Sequence, residues 1–342
     1  MSWFTRNIMF AVLLASNPSF GAQIKCKYLF REDDRVSQAV RTFQQGEVDT
    51  TSLRQEVKYV VKTADLKKML EALERVFGTR LGVRELPPPG YANVTSTQYM
   101  KIGKYFQGGK KLSTKVRFRK YFTRKLEDVN WSNLKVHPDL IDKSWLELKI
   151  DHPDFDNVVF KPRLLIYDRD IQFISNSNFL LHRNEIQARL LQLNPNKSVD
   201  VIKFIEYFDA LYTTPHMMVE NMFAKTEYER TSYSLKLNNP ADPSKKVDIQ
   251  ITLDESIHLT KLKNGKNFDV YKSDETVVEV KVPLKFSNLG EADIALIPEL
   301  AEVKKFIETL DSRHVPDYAK NSGKMSKIEK DAEDTLIDTD WP

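Results

Sequence analysis

Ionisable or polar residues stand two apart at six places in this chain: Arg54, Glu56 and Lys58; Lys115, Arg117 and Arg119; Glu147 and Lys149; Lys161 and Arg163; Asp248, Gln250, Thr252 and Asp254; Glu279 and Lys281. The residues between them are mostly apolar. A β-strand turns residues i, i+2 and i+4 to one face, so each stretch predicts a strand with a charged side and an apolar side. A plain sandwich, with charge turned to water and Val, Leu or Ile to a core, produces the same pattern. The chemistry of the set points further. Basic residues predominate, and most stretches without a cationic triplet carry a carboxylate beside a lysine. Cations that face one another from many strands call for a polyanion, and a few carboxylates among them suit the metal ion that travels with it.

The rest of the sequence supplies the elements that must hold these residues. The first strand covers residues 53–61. Thr63 stands where a helix cap belongs, and Leu66, Met69, Leu70, Leu73 and Phe77 then recur at helical spacing until Gly78. Pro87-Pro88-Pro89-Gly90 breaks the chain before strands at about residues 92–106. Gly108-Gly109 turns into a strand at 113–122, and strands follow near 144–150 and 158–168. A mixed region covers 171–215, in which Ser198 is placed to cap a helix carrying Val201, Phe204, Ile205, Phe208 and Leu211. Strands resume at 217–226, 227–237 and 246–260. Asn264-Gly265 reads as a hairpin turn, 276–282 as the last strand, and 297–310 as a helix. About ten strands with few helices between them fit an antiparallel sheet or barrel within an α+β fold. A closed barrel lets the strands turn their charges inward and their apolar sides outward against helices.

Composition limits the classes available. The chain has 342 residues, is 41% hydrophobic and can bury a sizeable core. Its 52 basic and 48 acidic residues leave a formal charge of +4, so an anion site must come from local sorting of charge. That balance does not describe a nucleic-acid coat. Cys26 is the single cysteine, which excludes an internal disulfide and a cysteine-based zinc site.

Residues 1–22 have the three parts of a secretory signal. Arg6 gives a positive start, Ile8 to Ala15 are apolar, and Ser19-Phe20-Gly21-Ala22 offers a cleavage site near Gly21 and Ala22. The apolar run is far short of the roughly 20 residues that cross a bilayer. Gln23-Ile24-Lys25 precedes Cys26, where a lipid anchor needs small residues. The expected mature protein is therefore secreted or periplasmic, without a stable membrane anchor. Residues 23–50 form a helical or loose lead-in, and residues 326–342 a polar, disordered tail.

Several motif classes fail on spacing. Gly103 and Gly108 are spaced as in a phosphate-cradling loop, but Gly109 stands where lysine must follow, and the segment joins strand to strand. There is no HExxH, no GxSxG, and no spaced pair among the six histidines. Zinc proteolysis, acyl transfer and dinucleotide binding have no support here.

The order of the charged strands is the remaining signal. Arg-Gln-Glu-Val-Lys-Tyr at 54–59 precedes Lys-Val-Arg-Phe-Arg-Lys-Tyr at 115–121 and Trp-Leu-Glu-Leu-Lys at 145–149. Lys-Pro-Arg at 161–163, Tyr-Glu-Arg-Thr-Ser-Tyr at 228–233, Ile-Thr-Leu-Asp at 251–254 and Val-Glu-Val-Lys at 278–281 follow. This succession resembles the VTC domain, the polyphosphate polymerase branch of the CYTH-like triphosphate tunnel metalloenzymes, over about residues 51–325. The resemblance implies an antiparallel eight-stranded β-tunnel, a closed barrel with flanking helices. It implies that Lys58, Arg117, Arg119, Arg230 and Lys281 act on the phosphates. Lys115, Lys149, Lys161 and Arg163 would bind substrate with them, and Lys320, in a degraded Ser-Lys-Tyr element, would join them. Glu279 would hold Mn²⁺ or Mg²⁺, with Glu56, Glu147 and Asp254 as helpers.

The implied ligand is inorganic polyphosphate, triphosphate or a nucleoside triphosphate, and not nucleic acid. The implied activity is phosphoryl transfer or triphosphate hydrolysis. Two positions depart from the family pattern. Gln250 replaces the arginine of Arg-x-Thr-x-Asp, and Met100 replaces the aspartate of Ser-x-Tyr-Phe-Asp. With the export signal, these departures support an alternative, a non-catalytic polyanion-binding module of the cell envelope.

Overall fold

The apolar residues between the charges bury on one side of a single sheet, and helices cover them. The computed structural model describes residues 34–45, 54–84, 86–101, 104–107, 109–128, 131, 133–151, 159–214, 220–239, 242–263, 266–272 and 275–283. The strands are β1 (Arg54–Lys62), β2 (Leu81–Val83), β3 (Tyr91–Lys101), β4 (Lys104–Gln107), β5 (Lys110–Lys125), β6 (Lys135–Val136), β7 (Lys143–Asp151), β8 (Val159–Phe160), β9 (Arg163–Tyr167), β10 (Glu220–Asn239), β11 (Asp242–Lys263), β12 (Lys266–Lys272) and β13 (Glu275–Pro283). The helices are α1 (Arg35–Gln45), α2 (Leu66–Phe77), α3 (Asp168–Ile174), α4 (Phe179–Leu193) and α5 (Ser198–Thr213).

The main sheet order is β1-β13-β11-β10-β3-β5-β7-β8, with β9 also paired to β7, and the pairings are antiparallel. The α+β class and the antiparallel sheet agree with the sequence. Closure does not follow: among the described residues the order runs from β1 to β8 and no ladder joins its ends. The main path has eight strands, and β2, β4, β6, β9 and β12 pair beside it. None of the described helices is long and apolar enough to cross a membrane.

Two cores lie on the apolar side of this sheet. Val116, Phe118, Leu146, Leu148, Leu164 and Ile166 pack against Val40 and Phe43 of α1, Ile186 of α4 and Phe204 and Phe208 of α5. Phe43 meets Phe204 edge-on at 5.2 Å. Towards the other end, Ile249, Ile251, Leu253, Val278 and Val280 pack against Met69, Leu73 and Phe77 of α2.

The ends of the elements correct some local readings. Thr63 does not cap α2: it opens a 3₁₀ turn, and its hydroxyl lies 3.4 Å from that of Thr276. Asp65 holds the cap position without a side-chain capping bond, and its carboxylate instead accepts from Lys68 Nζ at 2.8 Å. Ser198 is the first residue of α5 and not its cap, which falls on Lys197. Gly78, at φ +52°, ends α2 in a conformation that glycine adopts without a Cβ penalty. Residues 217–226 and 227–237, read as two strands, fall where the described residues form the single long β10 (Glu220–Asn239). Residues 1–33, the turn at 264–265, the helix at 297–310 and the tail at 326–342 lie outside the described residues.

Candidate functional site

The ladders bring the spaced charges onto one face. Arg163 pairs with Glu147, Glu147 with Arg117, Lys149 with Lys115, and Arg117 and Arg119 with Tyr99 and Thr97. Across the middle, Thr97 pairs with Thr226, and along β10 the same face continues through Tyr228, Arg230, Ser232 and Ser234. Arg230, Ser232 and Ser234 oppose Asp254, Thr252 and Gln250, and Thr252 and Gln250 oppose Glu279 and Lys281 of β13. An extra residue in β11, at the slip between Glu227/Glu229 and His258/Glu255, reverses the alternation beyond Asp254. That bulge, with Ser256 at φ +49°, puts Ile257 and Leu259 on the charged side. There they bury with Tyr99, Tyr228 and Val277 as an apolar end to the charged face.

This face is not turned to water. Asp254 is 0%, Glu147 4%, Glu279 6% and Lys281 7% exposed. A sandwich with solvated charges is thereby ruled out, since buried charges need ionic partners and hydrogen bonds.

Two clusters supply those partners. In the first, Arg117 Nε donates to Glu147 Oε2 at 2.6 Å, Arg119 Nη1 to Glu147 Oε1 at 3.3 Å, and Arg119 Nε to Thr97 Oγ1 at 3.3 Å. Burial pushes the Glu147 carboxyl up, but the fields of Arg117, Arg119, Lys161 and Arg163 outweigh it and hold the group at about 2. Burial pulls the Arg119 guanidinium down, and the field of Glu147 with those of Tyr228 and Tyr121 raises it overall. The positive charge of Arg230 also reaches Arg119, so the two clusters share one electrostatic environment.

In the second cluster Arg230 grips Asp254 with both arms, Nε to Oδ1 at 2.5 Å and Nη2 to Oδ2 at 2.6 Å. Its Nη2 also lies 3.5 Å from Glu279 Oε2, and its guanidinium sits over the Tyr228 ring at 5.1 Å. Lys281 Nζ is 2.9 Å from the same Glu279 oxygen, which also accepts from Thr252 Oγ1 at 3.3 Å.

The sequence-predicted residues separate accordingly. Lys115, Arg117, Arg119, Glu147, Lys149, Arg163, Arg230, Asp254, Glu279 and Lys281 share the face, and the field of Lys161 reaches Glu147. Lys58 and Glu56 stand opposite Glu279 and Lys281 in the β1–β13 ladder. Lys320 lies outside the described residues. Of the two family departures, Gln250 is on the charged face, opposite Lys281 and Ser234. Met100 is not: it is 2% exposed in the α1–α5 core, so its departure from aspartate leaves the charged face unaltered.

Of the candidate metal ligands, Glu147, Asp254 and Glu279 do not gather as one set. Among the described residues no three of His, Cys, Asp and Glu approach closely enough to hold a metal ion. Glu147 and Glu279 lie near opposite ends of the strand order, and Glu147 is spanned by two guanidiniums. Asp254 and Glu279 are neighbours, joined through Arg230. Thr252 was legible from its spacing with Gln250 and Asp254, whereas Thr97 and Tyr228 were not singled out because uncharged partners leave no mark in a charge pattern. A cleft of about 490 Å³ between α1 and α5, lined by Arg35, Gln38, Glu206 and Asp209 among others, belongs to the helical side and not to this face.

No protein-family model and no curated protein matches the chain. Among solved structures it is similar to a putative adenylyl cyclase from Hippeastrum with a dominant triphosphatase activity. The identity is 10% and the TM-score 0.35, over 82% of this chain and 96% of that one. The Mediator head module of Schizosaccharomyces pombe matches at 9% identity and a TM-score of 0.26, over 77% and 96%. At these scores neither likeness carries weight for the function.

Proposed function

We propose that this chain is an exported, VTC-like tunnel protein that binds triphosphate or polyphosphate with Mg²⁺ or Mn²⁺ and carries out phosphoryl transfer or hydrolysis. The observation that carries the reading is the face, buried at Glu147, Asp254, Glu279 and Lys281, on which Lys115, Arg117, Arg119, Lys149, Arg163, Arg230 and Lys281 outnumber Glu147, Asp254 and Glu279. Guanidinium forks take two phosphate oxygens at once, and a polyphosphate presents such oxygens in a row. Arg117 and Arg119, two apart on β5, would hold one phosphate, and Arg230 and Lys281 another. Lys115 and Lys149, paired across β5 and β7, would extend the positive track.

The residues fit a divalent ion that arrives with its phosphates. Mg²⁺ is commonly held by one or two carboxylates plus substrate oxygens, and Asp254 with Glu279 is such a pair. When bound, the ion would neutralise oxygen charge during transfer. The residues supply the rest: phosphoryl transfer depends on positioning and charge stabilisation, which fixed cations in a water-poor site provide.

A non-catalytic polyanion module of the cell envelope is the second reading. Gln250 on the charged face and the engagement of Glu147, Asp254 and Glu279 by cations favour it. ³¹P NMR of the protein with Mg²⁺ and either tripolyphosphate or ATP separates the two. Internal chain phosphate means polymerisation, orthophosphate means hydrolysis, and binding without product supports the module. Glu279→Gln should abolish metal-dependent turnover in a folded protein, and unchanged turnover would remove Glu279 from the mechanism.

A further inference from the structure

The reverse of the sheet carries a cluster that the charged face does not use. Arg124 of β5 is buried, and its Nε donates to Glu229 Oε1 of β10 at 2.7 Å. Its Nη1 donates to the carbonyl of Lys125 at 3.0 Å and to that of Asp128, and the guanidinium carbon stands 5.8 Å from the centre of the Trp131 ring. The same indole meets the imidazole of His258 on β11, with ring centres 4.4 Å apart and planes tilted by 38°. Since β3 and β10 lie between β5 and β11 in the sheet, the chain after β5 crosses two strands as a strap to make this contact.

His258 has little around it to balance a proton. Its ladder partners are Glu227 on β10 and Lys272 on β12. Glu227 already pairs with Lys225 at 3.0 Å, and Glu229 with Arg124. Glu255 stands directly opposite Glu229, and burial with that neighbour's charge keeps its carboxyl above the usual range. Lys120, across Ser96 from Glu227, is held by Asp168. An imidazolium would therefore join Arg124, Lys225 and Lys272 around carboxylates that are already engaged. Burial first, and then the charge of Lys272, hold the imidazole below its ordinary value; Arg124 adds to the effect, and Glu227 and Glu229 oppose it.

We propose that His258 is a proton-operated latch: neutral, it holds the strap against β11 through Trp131, and on gaining a proton it lets the strap go. The folded value is depressed, so the contact is fully present above about pH 6.5, the ordinary imidazole value, and is lost as pH falls towards the folded one. The bulge at Ser256 and Ile257 lies between Glu255 and His258. The latch thus braces the backbone that turns Ile257 and Leu259 onto the charged side, and it does so whether or not that side binds phosphate.

The test is the tryptophan emission of the full chain from about pH 8 to about pH 5, a range that spans the ordinary imidazole value. Subtracting the emission of Trp131→Phe isolates this indole among the four tryptophans. In wild type the Trp131 emission should move to longer wavelength with a midpoint on the acid side of about 6.5, while far-UV circular dichroism stays constant. His258→Gln, which cannot charge, should show no such shift; His258→Phe, which keeps a ring against the indole, serves the same comparison if the first variant fails to fold. The same shift at the same pH in either variant overturns the latch. So does quenching without a shift, in which the proton arrives and the strap stays, and so does a loss of circular dichroism at the same midpoint, in which the whole fold yields.

Discussion

Replacing Glu147 with Gln removes the one carboxylate that both Arg117 and Arg119 bond in the first cluster, and its cost follows from the structure. A carboxyl lowered from 4.5 to about 2 in the fold stabilises it at neutral pH by about 3 kcal/mol. Breaking a buried pair by deleting one partner costs about 3–5 kcal/mol, which agrees. For a domain of this size that is a fall of about 6–12 °C in melting temperature, at about 2–4 °C per kcal/mol. The folded pKa is depressed, so the wild type holds this contribution above about pH 4.5 and loses it as pH falls towards about 2. The variant lacks that part of the acid transition. Thermal melts of both proteins from pH 7 to pH 2, with and without tripolyphosphate, test the argument. A phosphate placed between Arg117 and Arg119 would restore part of the lost compensation, so saturating tripolyphosphate should stabilise Glu147→Gln more than wild type. Equal stability of the two proteins at pH 7 would refute the buried pair, and a gap unaffected by tripolyphosphate would refute the access of anions to these arginines.

The remaining predictions use the same face and its reverse. Asp254→Asn leaves Arg230 without its bidentate partner at a position 0% exposed, and should cost about 3–5 kcal/mol in urea unfolding. Gln250→Arg adds a cation opposite Lys281 and should tighten tripolyphosphate binding by one to two decades, since a charged contact is worth about 1.5–3 kcal/mol; weaker binding by calorimetry would place Gln250 away from the ligand. Met100→Leu should cost less than about 1.5 kcal/mol and leave phosphate affinity unchanged, because the side chain is in the helical core.

The sequence showed the strands well and their surroundings less well, for reasons that particular residues make plain. Lys115, Arg117 and Arg119 alternate with Val116 and Phe118, and a period of two has one structural meaning, so β5 and the face of its cations were legible. Met100 was misread because a motif aligns residues without fixing which side of the strand they take. Counting from Arg117, opposite Tyr99, puts Met100 on the apolar side. The slip at Ser256 was hidden because a bulge is a property of two strands together, and only the pairing of Glu229 with Glu255 and Glu227 with His258 exposes it. Helix α4 lay unseen in a mixed region, since Phe179, Ile186 and Leu190 are its buried residues while Leu180 and Leu181 are exposed, which blurs the helical period.

Why such a face should exist is the stronger argument for its function. Desolvating charges is costly, and apolar residues of similar volume stabilise a core as well as a buried ion pair does, or better. Stability alone would therefore favour Val or Leu at Arg117, Glu147, Arg230 and Asp254, as on the reverse of the same strands. The salt bridges offset the cost only locally: Glu147 is shared by two arginines while the fields of Lys161 and Arg163 add to theirs, and Arg230 repels Arg119 across the face. Carboxylates here reduce the positive charge without cancelling it. Under the proposed function the excess of cations on this face is met by an anion from outside, and the spacing of the guanidiniums along adjacent strands suits one with several linked negative groups.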